Sequence, residues 1–163
     1  MIVALDDSSI SANIAHRRTT PAFNIAMNDP LPIRAVHHVG RLTKQLNASR
    51  DFYREVLGFQ EIPRPPFAFG GAWLTAYGVQ IHLIVDESIA HASGAIESRT
   101  NHLAFEVSDT DEVERRLQAH QVMYRVSHQT GTGLKQIFFH DPDGHTIECA
   151  AYSSQPAAVE PSP

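Results

Sequence analysis

Between residues 33 and 152 short apolar stretches of period two alternate with helical spacing, and the whole series occurs twice. IRAVHHVGRL (33–42) is rich in β-branched residues interleaved with polar ones and predicts a strand. In NASRDFYREVLGF, Phe52, Tyr53 and Val56 fall on neighbouring turns. Asn47 is placed to cap and Gly58 to supply a left-handed stop, which predicts a helix over 48–57. FQEIP (59–63) is a short strand, and after the bend RPPFAFGG come AWLTAY (72–77) and VQIHLIV (79–85), joined by a tight turn at Gly78. A polar linker over 86–100 separates this set from the next. NHLAFEV (101–107) is again a strand, followed by a helix capped by Asp109 or Thr110 and the strands YRV (124–126), LKQIFFH (134–140) and HTIECAAY (145–152). DPDG (141–144) turns between the last two. Strand, helix and three strands, taken twice, predict an α+β chain of two βαβββ modules, about 33–86 and 100–152, within one domain spanning 31–152.

Side chains alternate across a strand, so parity assigns faces. Leu103, Phe105 and Val107 form one face suited to packing under a helix, which leaves His102 on the other; Ile81, Leu83 and Val85 leave His82; Ile147 and Cys149 leave Glu148. Only one of His37 and His38 can share that second face. Aligning HHVGR with NHLAF selects His38, with His37 as the parity alternative. His38 and His102 lie 64 positions apart and His82 and Glu148 lie 66 apart, so the four candidates follow the repeat. Three imidazoles and a carboxylate suit a divalent cation, Zn, Ni, Co, Fe or Mn, with positions left for water or substrate. A single strand histidine is more often incidental than a ligand; it is the repetition that carries the assignment.

Composition then narrows the partner. The 163 residues carry a formal charge of −5 and pI near 6.0, which offers no basic footprint for nucleic acid or an anionic membrane. A small molecule is the expected partner. No run reaches the length of a membrane span, no basic n-region precedes the opening MIVALDDSSI, and the lone Cys149 forms no internal disulfide, so a reducing, cytoplasmic setting is expected. Residues 1–30 read as a disordered arm and 153–163 as a disordered tail.

HHVGR, SRDFYREVLGF, GAWLTAYGVQIHLI, NHLAFEV and FFHDPDGHTIECA, taken in order, resemble the signatures of the vicinal oxygen chelate superfamily, also called the glyoxalase/bleomycin resistance/dioxygenase superfamily. Glyoxalase I-like (lactoylglutathione lyase-like) members are the nearest in character. The resemblance implies paired modules curled into an open, cup-shaped mixed β-barrel with helices outside, and a metal that chelates neighbouring oxygens of a substrate. Carried over by position, His38, His82, His102 and Glu148 match the four ligand sites, with His82 standing where glyoxalase I has a glutamate. Glu148 would then be the remaining carboxylate base, acting on a substrate such as a hemithioacetal. Arg64, Phe69, Trp73 and Lys135 are candidates for substrate contact: Arg64 against an ordinary role as a solvated loop arginine, Phe69 and Trp73 against core packing, and Lys135, with Gln136, as a side chain that reaches the rim. Alternatives within the superfamily are a thiol transferase of the fosfomycin-resistance kind, a ring-cleaving dioxygenase, and a non-catalytic binding module like the bleomycin-sequestering proteins. A homodimer is expected, with the metal site inside one chain or shared between two.

Overall fold

The computed structural model describes residues 30–89 and 94–152, so the expected arm and tail fall almost wholly outside the described residues. Residues up to Arg34 belong to a separate unit, and the second unit begins at Ala35. The elements of this second unit are β1 (His38–Thr43), α1 (Leu46–Glu55), β2 (Gln60–Ile62), β3 (Gly71–Ala76) and β4 (Val79–Val85), then β5 (His102–Glu106), α2 (Thr110–Ala119), β6 (Tyr124–His128), β7 (Lys135–His140) and β8 (Thr146–Ala150). The α+β class and the duplicated βαβββ order are those the pattern predicts. Each module forms a four-stranded mixed sheet, ordered β1-β4-β3-β2 and β5-β8-β7-β6. The first strand of each runs parallel to the last, and the other pairs are antiparallel. The two sheets do not close into a barrel.

Two boundaries shift for physical reasons. The first strand starts at His38 rather than residue 33, because His38 already pairs with Gln80 near the beginning of β4, and the Tyr77-Gly78 turn precedes it. Both turn residues have positive φ, 52° and 74°, so upstream residues run past the end of their neighbour. Helix α1 begins at Leu46, without Asn47 as cap and without any side-chain cap at Gln45. The donor at Lys44 N is instead satisfied by Asp143 Oδ1 of the second module, at 3.2 Å. Helix α2 shows the local solution: Asp109 accepts from the backbone N–H groups of Asp111 and Glu112, as one of the two predicted caps.

Helix α1 serves both modules. Tyr53 is fully buried among Phe59, Ala72, Leu74, Ile81 and Leu83, while Phe52, Val56 and Leu57 pack against the other core, that of Leu117, Ile137, Phe139, Ile147 and Cys149. Phe59 meets Phe105 edge-on across the boundary between modules. The DPDG turn locks this arrangement. Ser49 Oγ donates to Asp143 Oδ2 at 2.6 Å, Tyr53 Oη donates to Asp141 Oδ2 at 3.1 Å, and Gln45 Nε2 donates to the Pro142 carbonyl at 2.8 Å. His145 pairs through Nε2 with the Leu42 carbonyl at 2.8 Å. The cores of both modules, on the helix-covered faces of their sheets, meet at this shared layer.

The two turn carboxylates respond to pH in opposite senses. Burial pushes Asp141 above its ordinary range despite His145 and the Tyr53 hydroxyl. Burial also acts upward on Asp143, but donors from Ser49, Thr43 and Lys44 outweigh it and hold that carboxyl below the ordinary range. A carboxylate whose folded pKa is depressed contributes stability above its unfolded pKa and loses it as pH falls through the folded one. Asp143→Ala should therefore cost about 2 kcal/mol at pH 7, the scale of a lost hydrogen bond to a charged group. The deficit should shrink below about pH 4, near the unfolded carboxylate pKa, as read by urea denaturation of both proteins at the two pH values. An equal deficit at both would assign the loss to packing.

Candidate metal centre

Register places the sequence candidates in two equivalent pairs. In module 1, His82 stands opposite Gly40 on β1, two residues past His38; in module 2, Glu148 stands opposite Ala104 on β5, two residues past His102. The repeat thus sets each opening histidine diagonally across from the candidate on the last strand of its module, on the face without helices. The apolar partners Ile81, Leu83, Ile147 and Cys149 are all buried on the other face, as parity requires.

The second pair is shaped as a half-site. His102 Nδ1 lies 2.7 Å from the Thr100 carbonyl, which can only accept, so Nδ1 carries the hydrogen and a neutral ring has its lone pair at Nε2. That atom faces Glu148 Oε2 at 2.9 Å. A protonated ring would make an ordinary ion pair here, whereas a neutral ring sets two acceptors face to face, which a shared cation would reconcile. Two ligands about 2.1 Å from one metal and at right angles to each other would be about 3 Å apart, so the spacing suits a metal. Glu148 is buried, and its other oxygen accepts from Gln136 Nε2 at 2.7 Å and from the Tyr152 hydroxyl at 2.5 Å. Phe138, directly opposite Glu148 on β7, meets the His102 ring edge-on.

The first pair is arranged differently. His82 lies face to face with Trp73, its cross-strand neighbour on β3, with centroids 4.1 Å apart, and face to face with His38 on its other side, also at 4.1 Å. Its Nε2 pairs with Gln80 Oε1 at 2.9 Å. Burial, then the neighbouring His38 and His37, holds its pKa below the usual imidazole value, so the ring favours the neutral form that ligation needs. Parallel rings send their in-plane lone pairs side by side rather than to one point. His38 is exposed and can turn, with His37 Nδ1 2.9 Å from its own Nδ1, whereas His82 is fixed by both stacks.

Among the described residues no three ligand-type side chains gather in one place. The four candidates are brought together two by two, His38 with His82 and His102 with Glu148. The substrate candidates divide similarly. Trp73 lies on the helix-free face beside His82, and Phe67 and Phe69, stacked 5.2 Å apart and half exposed, continue the wall from it. Arg64 is pinned beside these rings, its guanidinium carbon 5.1 and 4.9 Å from their centroids and its Nη2 donating to the Phe69 carbonyl. Lys135 lies on the helix side, where it pairs with Asp111 at 2.6 Å and with Glu114, away from the rim expected for it. Sequence reasoning does not single out Gln136 and Tyr152 as partners of Glu148. Strand parity signals the first, and the second depends on where the chain turns after β8. A cavity of about 670 Å³, lined by Val39, Val79, Leu103, Phe105, Val113 and Leu117, opens on the helix side and touches none of the four candidate ligands.

The family model described as the Glyoxalase/Bleomycin resistance protein/Dioxygenase superfamily matches residues 35–149. Over 133 residues the chain is 35% identical to Glyoxylase I 4 of Arabidopsis thaliana, covering 78% of this chain and 76% of that protein. It superposes on the crystal structure of a glyoxalase family protein from Enterococcus faecalis with TM-score 0.58 and 28% identity, covering 72% of this chain and 97% of the other. It superposes equally on a variant of the fosfomycin resistance protein FosX of Listeria monocytogenes, in complex with Mn(II) and 1S,2S-dihydroxypropylphosphonic acid. There the TM-score is 0.60 at 22% identity, over 73% of this chain and 92% of the other, a likeness of fold. With the duplicated βαβββ module already evident and a family match over most of its folded part, this chain belongs to the Glyoxalase/Bleomycin resistance protein/Dioxygenase superfamily.

Proposed function

We propose that the chain is a metal-dependent lyase or isomerase of glyoxalase I type, acting on a small substrate with oxygens on adjacent carbons, such as a hemithioacetal. The observation that carries this reading is the His102 Nε2 to Glu148 Oε2 contact of 2.9 Å, with Nδ1 turned to the Thr100 carbonyl, a spacing and donor pair that a divalent cation would fit. The likeness to Glyoxylase I 4 of Arabidopsis thaliana supports the reaction class, and the Mn(II) complex of FosX supports a divalent metal. Zn, Ni, Co, Fe and Mn all accept this donor set.

The site is shared between two copies of the chain. His38 and His82 of one chain face His102 and Glu148 of the other, in a homodimer with two identical sites. The edge strands support this arrangement: β1 and β5 each lie at an open edge of their sheet and each carries a candidate histidine. An isologous two-fold contact that sets β1 of one chain beside β5 of the other brings the half-sites together twice.

A divalent cation held there would polarise the substrate's paired oxygens and acidify the C–H between them. Glu148 takes that proton at Oε2, the oxygen that Gln136 and Tyr152 do not fill, and returns it to the neighbouring carbon. Burial of the carboxylate shields the exchange from water. The Trp73, Phe67 and Phe69 wall covers the apolar side of the ligand. A second reading follows from His82, whose place between two rings leaves His38, His102 and Glu148 as a two-histidine, one-carboxylate set. That set resembles the thiol transferases of the fosfomycin-resistance kind.

Two experiments test the assignment. Mixing a His38→Ala chain with a Glu148→Gln chain leaves one site of each mixed dimer with all its ligands, so activity and bound metal should return to about one quarter of wild type after random re-pairing. A site within one chain would return nothing. In steady-state assay on hemithioacetals, Glu148→Gln alone should lower turnover by about 10²- to 10⁴-fold, the usual share of a positioned acid–base group. Equal rates for the two proteins would remove Glu148 from that role.

A further inference from the structure

Glu148 has two oxygens in unlike surroundings. Oε1 accepts from Gln136 Nε2 at 2.7 Å and from the Tyr152 hydroxyl at 2.5 Å, while Oε2 meets only His102 Nε2. A carboxylate oxygen offers about two lone-pair directions, so Oε1 is filled. The donors approach from separate places, Gln136 from the neighbouring strand β7 and Tyr152 from beyond the end of β8. Among the described residues neither donor group has another hydrogen-bond partner. The terminal torsion of a free glutamate is broad, and turning the carboxyl here would break both bonds at once.

We propose that Gln136 and Tyr152 are positioning residues that hold Glu148 as a one-oxygen ligand, with Oε2 presented to the cation shared with His102 and Oε1 closed to it. The inference rests on the metal-site reading proposed for His102 and Glu148 and assigns that site a geometry. A carboxylate that grips with both oxygens occupies an extra position on the metal; held to one oxygen, it leaves that position for the second oxygen of a vicinal pair. Module 1 restrains its equivalent residue by other means, Trp73 and Gln80 against the His82 ring.

Cobalt(II) titration of the metal-free, full-length protein tests this, because the d–d absorption of bound cobalt reports the number and arrangement of its ligands. Tyr152→Phe should bind cobalt about 10- to 100-fold more weakly, the usual effect of losing an outer partner of a ligand. Its saturated spectrum should differ from wild type. Gln136→Leu should give the same pattern, and it carries the test should Tyr152→Phe fail to fold. Wild-type affinity and spectrum in both variants would overturn the proposal, as would a lowered metal-free midpoint with an unchanged saturated spectrum. If His102→Ala and Glu148→Gln lose cobalt in that same experiment, the metal site stands and only the positioning role falls. A wild-type chain that binds no cobalt overturns the metal-site reading and this inference with it.

Discussion

The β7–β8 turn sets Asp141 and Asp143 against the start of α1, where both carboxylates are almost wholly withdrawn from water and are met by hydroxyl and backbone donors from two modules. Unpaired, a buried carboxylate is among the costliest groups a small domain can carry. Their pairing is therefore selective for one docking of the second module onto α1. That docking keeps the two cores in contact through α1, while the candidate pairs of the two modules stay apart.

Within a module, a good deal was legible in the chain. Alternation in NHLAFEV, VQIHLIV and HTIECAAY assigned inner and outer faces that the structure reproduces, since parity depends only on strand geometry. The cap at Asp109 was equally visible, because its partners lie two and three residues away. Asn47 misled for a different reason: the chain entering α1 is held by Thr43 Oγ1, which accepts from Gln45 N–H, and by Asp143, almost a hundred positions later, which accepts from Lys44 N–H. Lys135 shows a similar limit. Its flexible stem reaches the acidic face of α2, a choice made by the packing of the second module. Most illegible was how the modules face each other, for the same two sequence repeats serve a cup built within one chain and one built between two.

Charge distinguishes this chain from a relative with carboxylates at both closing positions. In the proposed site, with His82 in place of one of them, three imidazoles and one carboxylate would leave a divalent ion with a formal surplus of positive charge. The surrounding face has no described lysine directed at it, and the nearby Arg64 is engaged with Phe67, Phe69 and the Phe69 carbonyl. Attraction for an anionic ligand would thus come chiefly from the cation, while the aromatic wall supplies apolar contact.

Cys149 follows Glu148 directly and points the other way, into the helix-covered core, where burial and the adjacent carboxylate raise its thiol pKa to about 12. Thiolate is the reactive species, and almost none exists at neutral pH. The folded chain thereby keeps its sulfhydryl almost wholly un-ionised, in the wall of the helix-side cavity. Alkylation of that sulfur becomes a clock for opening of the second core, running faster when Ile147 and Phe139 part from α2.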